Sequence, residues 1–81
     1  MKFNELTKAI QYCDVRLYLQ FESIECRFKE VYRSEEFPSW DGFPPKIVNR
    51  YGDYEVICFE PCRENGTIWL DVYLKGKRNE N

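Results

Sequence analysis

The chain has 81 residues, 12 Lys+Arg against 14 Asp+Glu for a net charge of −2, and no histidine. That length supports one domain, which buries roughly 60–65% of the surface its unfolded chain exposes, so the core is small. The charge balance excludes nucleic-acid attraction through bulk charge, and without histidine no Ser-His or Cys-His nucleophile can exist, so an enzyme is not expected.

The first element is a helix. Phe3, Leu6, Ile10 and Cys13 recur at helical spacing with Glu5, Lys8 and Gln11 opposite, which predicts an amphipathic helix over 4–13 with Asn4 as N-cap. A hairpin over 15–33 follows. Val15, Leu17, Leu19 and Phe21 alternate with Arg16, Tyr18 and Gln20, and Ile24, Cys26 and Phe28 alternate with Glu25, Arg27 and Lys29. A turn at Glu22-Ser23 sets Leu17 against Phe28 and Leu19 against Cys26, and it keeps every apolar residue on one side. In that register Tyr18 faces Arg27 and Arg16 faces Lys29.

The connector over 34–53 is rich in Pro and Gly and cannot be a continuous strand or helix, except for a short helix opened by Pro45 and stopped by a left-handed Gly52. The second hairpin spans 54–75. Tyr54 to Phe59 is apolar on both faces, which predicts a strand covered twice and ended by Pro61. Asn65-Gly66 is the strongest turn signal in the chain. A two-residue loop there sets Phe59 against Val72, Ile57 against Leu74 and Cys58 against Tyr73. It also opposes Glu60 and Asp71, which is unfavourable, so a longer loop over Arg63–Gly66 stays open. The tail, 76–81, is polar.

Strict alternation in Ile68-Trp69-Leu70-Asp71-Val72-Tyr73-Leu74 gives this last strand an aliphatic row and a ring-bearing row. The aliphatic row is core. The ring-bearing row needs a cover or a partner. One small helix covers one sheet face only, so Phe37, Trp40, Phe43, Ile47 and Val48 are expected to lie over part of the other. The expected architecture is α+β: a mainly antiparallel four-stranded sheet of two hairpins, the N-terminal helix on one face and a short helix in the connector.

No cofactor and no metal site is expected. Cys13, Cys26, Cys58 and Cys62 could in principle bind zinc or pair as disulfides, but no close two-residue-spaced knuckle is present, and no export signal follows Met1-Lys2-Phe3-Asn4-Glu5. Glu35-Glu36, Asp41 and Asp53-Glu55 are read as solvated loop acids. The expected location is cytoplasmic, without membrane contact.

The order of helix, hairpin, Pro-rich connector and closing hairpin, with Asn4-Glu5-Leu6-Thr7-Lys8 at its start and Tyr54–Pro61 followed by Ile68–Tyr73 at its end, is similar to that of small proteins carried by bacterial phages and prophages. Some of those are anti-defence inhibitors, anti-CRISPR proteins among them. The resemblance implies a protein-binding accessory domain in a bacterial host cell that inhibits or modifies a host protein. Several such inhibitors are strongly acidic DNA mimics, and a net charge of −2 departs from that pattern. The resemblance carries over no functional residues.

Two contact sets follow from the residues themselves. Phe37, Trp40, Asp41 and Phe43, rimmed by Glu35 and Glu36, form the candidate protein-binding loop, because aromatic anchors within a polar rim are the usual energetic pattern of an interface. Arg16, Tyr18, Arg27, Lys29, Trp69 and Tyr73 form the alternative, a single-strand nucleic-acid face in which rings stack bases and cations hold phosphates. A homodimer joined through sheet faces or edges is a third possibility.

Overall fold

The computed structural model describes residues 1–10, 13–21, 27–34 and 42–76. Among them are two helices, α1 (Phe3–Thr7) and α2 (Pro45–Tyr51), and four strands, β1 (Asp14–Gln20), β2 (Phe28–Arg33), β3 (Val56–Glu64) and β4 (Thr67–Leu74). The strands form one sheet in the order β2-β1-β4-β3. The two hairpin pairs are antiparallel, whereas β1 and β4 meet in parallel at the centre. The sheet is therefore mixed within the expected α+β class.

Both helices serve one face. Phe3, Leu6 and Ile10 from the α1 region, Phe43, and Ile47 and Tyr51 of α2 are buried against Val15, Leu17, Val72 and Leu74. α1 is shorter than the 4–13 expected, yet its stripe stays buried. Beyond Thr7 the backbone tightens to i→i+3 bonds, Ala9 N–H to Leu6 O at 2.9 Å and Ile10 N–H to Thr7 O at 3.3 Å, which still turn Ile10 inward. Lys2, rather than Asn4, is the N-cap; its backbone N–H donates to Glu5 Oε1 at 2.8 Å. The N–H groups of Phe3 and Asn4, orphaned at a helix start, donate to Tyr54 O and Gly52 O. Those two bonds dock α1 on the end of α2.

α2 begins as expected, with Pro45 in its first turn, but Gly52 is right-handed at φ −59°. A close approach makes glycine necessary there, because a Cβ would lie 2.6 Å from the Val48 carbonyl oxygen and 3.2 Å from Asn4 Cβ.

The second hairpin closes as the tightest expected loop, with Glu64 paired to Thr67 and positive φ at Asn65 (52°) and Gly66 (82°). Its twist matches that of the strands it joins. Phe59 faces Val72, Cys58 faces Tyr73 and Glu60 faces Asp71, but Val56 rather than Ile57 opposes Leu74, and the register shifts between Val56 and Cys58. β3 is an edge strand, not one covered twice, and Pro61 lies inside it. Strand pairing tolerates this because residues flanking a two-residue loop exchange hydrogen bonds. Glu64, Cys62, Glu60 and Cys58 thus turn their backbone to β4, and Pro61 has its missing N–H on the open side.

The first hairpin departs from expectation by more. Leu19 faces Lys29 and Gln20 faces Phe28, with Phe21 N–H bonded to Arg27 O, so the loop is longer than Glu22-Ser23 and the register is offset by three residues. An odd offset exchanges the faces of the second strand. Phe28, expected in the core, joins the ring-bearing face, while Lys29 turns to the aliphatic side. A further shift between Leu17 and Tyr18 restores Tyr32 to the aliphatic side opposite Leu17. Cys26 and the loop itself lie outside the described residues.

Gly52→Ala is expected to lower stability by about 1–3 kcal/mol, since the clash is with backbone that cannot swing aside. A urea unfolding midpoint measured beside that of the natural chain checks this.

Candidate functional site

The ring-bearing face is built by register. In the parallel pair Asp14 lies beside Trp69, Arg16 beside Asp71 and Tyr18 beside Tyr73. Across the hairpins Glu30 faces Tyr18, Arg33 faces Arg16, Cys62 faces Trp69 and Glu64 faces Thr67. Trp69 and Leu70 take opposite sides, with Leu70 packed on the aliphatic core and Trp69 among arginines. The two-sided reading of this strand therefore holds.

Arg16 organises the face. Its residue is only 4% exposed, and Nε and Nη2 donate to Asp71 Oδ1 and Oδ2 at 2.7 and 3.0 Å, a bidentate pair with an aspartate that is itself 3% exposed. Nη1 donates to Glu64, which keeps much of its side chain in water. The guanidinium carbon lies 4.9 Å from the Trp69 ring centroid and 6.0 Å from that of Tyr18. Hydrogen bonding to Asp71 holds the Arg16 pKa above the ordinary guanidinium value against the opposing effect of burial, so the group stays charged. It also answers the like-charge opposition of Glu60 and Asp71, because the cation from β1 neutralises Asp71.

Around this centre the rings close on one another. Tyr18 and Tyr73 stack at 4.9 Å, Phe28 meets Tyr73 edge-on at 5.0 Å, and Arg33 covers Trp69 at 5.4 Å while binding Glu30 through Nε and Nη2 at 2.6 and 2.8 Å. That bidentate pair holds the Glu30 carboxyl below its usual range. Burial first, and then the Asp71 charge, push the Tyr18 and Tyr73 hydroxyls up.

The alternative contact set is divided by these facts. Arg16, Tyr18, Trp69 and Tyr73 come together, but Lys29 does not join them, and Arg27 lies outside β2. Lys29 shares the face of Leu19, and the neighbour of Tyr18 across β2 is Glu30, not Arg27. Phe43, Ile47 and Val48, expected over the ring-bearing face, pack with the aliphatic core instead. Phe43 meets Phe3 edge-on at 4.9 Å and is buried, so it is not an exposed contact residue. Glu35, Glu36, Phe37, Trp40 and Asp41 lie outside the described residues.

Sequence reasoning missed Asp71 and Glu64 as partners of Arg16. The alternation did place Arg16 and Asp71 on matching strand faces, but only the parallel contact of β1 with β4 makes them neighbours. It also missed an apolar strip. Ile57, Phe59 and Ile68, at 45%, 47% and 57% exposure, all sit on the β3–β4 hairpin. Phe59 and Ile68 continue the aliphatic row beyond the part that the helices cover.

Cys13, Cys58 and Cys62 are free thiols, no group of His, Cys, Asp and Glu among the described residues is arranged to hold a metal ion, and no described helix is long and apolar enough to cross a membrane. Comparison with protein-family models, curated proteins and solved structures found no match to this chain.

Asp71→Asn should cost about 3 kcal/mol, the lower end for breaking a buried pair, because the Arg16 charge loses its buried bidentate partner and keeps only the half-exposed Glu64. Chemical denaturation measures it. The tyrosine shifts give a pH signature of opposite sense to acid unfolding. Their folded values lie above the ordinary 10.0, so the stability they contribute is complete below pH 10 and drains away as pH rises through the folded values. Melting temperature is expected to fall above pH 10, and to fall less steeply in a Tyr18→Phe/Tyr73→Phe double variant.

Proposed function

We propose that this chain is a small protein-binding domain, and that its role is the one its layout suggests, an accessory factor of a phage or mobile element acting on a host protein. The observation carrying the reading is the concentration of exposed large apolar side chains on one hairpin. Ile57, Phe59 and Ile68 are all exposed on β3–β4, and Phe59 and Ile68 lie where the aliphatic face runs past its helical cover. Clustered apolar surface of this kind is how protein partners are held. The strand edge beside it is a poorer candidate, because Pro61 lacks a donor and Arg63 and Glu64 bring charge, features that discourage strand addition.

Single-strand nucleic-acid binding through the ring-bearing face has less support. Three donor nitrogens of Arg16 are bonded to carboxylates, Arg33 is bound to Glu30, and Lys29 of the expected set takes the other face.

An affinity capture from bacterial lysate with and without nuclease, repeated with a Phe59→Ser/Ile68→Ser double variant, tests the proposal. Exposed substitutions away from special features usually change stability by about 0.5 kcal/mol or less, so the variant should stay folded by circular dichroism. A captured protein that survives nuclease and is lost with the variant is expected. Capture that needs nucleic acid, or that the folded variant retains, would contradict it.

A further inference from the structure

Charge on the sheet is sorted by face. Within the four strands, Asp14, Glu30, Glu60, Glu64 and Asp71 all take the ring-bearing side, together with Arg16 and Arg33. Five carboxylates against two guanidiniums leave that face at −3, more negative than the whole chain at −2. Lys29 and Arg63 take the other side, opposite Leu19 and Ile68. Both cations of that face, buried Arg16 and exposed Arg33, are already bound to carboxylates, so the surplus charge is carried by groups at the rim. Glu60 is exposed, and its charge is felt at the Tyr73 hydroxyl.

The rings between those carboxylates are only part-buried. Tyr18, Phe28, Trp69 and Tyr73 all retain some exposure, and both described helices lie on the opposite side of the sheet. These rings already hold cations within the chain, with Arg16 and Arg33 on Trp69 and Arg16 near Tyr18. A ring face combined with net negative charge attracts guanidinium and ammonium groups and repels phosphate.

We propose that the ring-bearing face is a second docking surface, and that its occupant is a cationic segment of a protein partner. An arginine or lysine side chain would lie over the Tyr18–Tyr73 stack and pair with Glu60. This goes beyond the apolar strip on β3–β4, which lies on the other face, and it shares with that reading only the premise that the partner is a protein.

The test uses a fluorescent hexa-arginine peptide, with a dT12 oligonucleotide and a hexa-glutamate peptide as comparisons, followed by anisotropy at low and moderate salt. Glu60→Lys reverses charge on the face, while Asp53→Lys makes the same change between α2 and β3, away from it. Hexa-arginine is expected to bind and to weaken with salt, with affinity falling about tenfold or more in Glu60→Lys and changing less than about twofold in Asp53→Lys. Equal losses in the two variants would mean attraction to net charge alone and would overturn the proposal. So would absence of peptide binding at low salt, or tighter binding of dT12. If hexa-arginine fails while Phe59-dependent capture persists, this inference falls and the protein-binding reading stands.

Discussion

Arg16 sits on a central strand with its guanidinium out of water, and a cation in that position persists only if acceptors replace the water it has lost. Asp71 supplies two from the parallel neighbour, and Glu64 supplies another from the edge strand beyond it. One side chain therefore ties β1, β4 and β3. Isosteric apolar groups could fill the same volume without loss of stability, but a half-broken pair is costly. A one-residue slip between β1 and β4 would break it by carrying Arg16 to the aliphatic side, so the ion pair opposes misregistry of the one parallel contact in the sheet.

From this constraint the two walls of the sheet follow. With Arg16 neutralised, Trp69, Tyr18 and Tyr73 gather round it, and the described part of the connector sends Phe43, Ile47 and Tyr51 to the aliphatic side with α1. What the described residues leave uncovered is then specific. The aliphatic row runs out past the helices at Phe59 and Ile68, and the ring-bearing side keeps an acidic rim. The proposed contacts with partners use those two remainders.

Local signals were legible wherever local chemistry decides the structure. Asn65-Gly66 demanded positive φ, Pro45 suited a helix start, and the alternation through Ile68–Leu74 separated Trp69 from Leu70. Signals failed where the outcome depends on what lies alongside. A register chosen to keep Ile24, Cys26 and Phe28 apolar-side-in gave the first hairpin too short a loop, because it allowed no place for Phe28 beside Tyr73. Pro61 reads as a strand stop in a central strand and is harmless at an edge, and the strand order that makes β3 an edge is not written in its own residues. The candidate loop at Glu35–Asp41 lies outside the described residues, apart from Phe43 beyond it, which is core.

The central claim is that the Arg16 guanidinium is sequestered by Asp71 beneath the rings, and side-chain hydrogen exchange of the arginine Nε–H groups, followed by 15N NMR, tests it most directly. Arg16 should give a resolved, slowly exchanging Nε–H, while Arg27, Arg50 and Arg63, all exposed, exchange rapidly. An Arg16 Nε–H that exchanges as fast as those three would contradict the account.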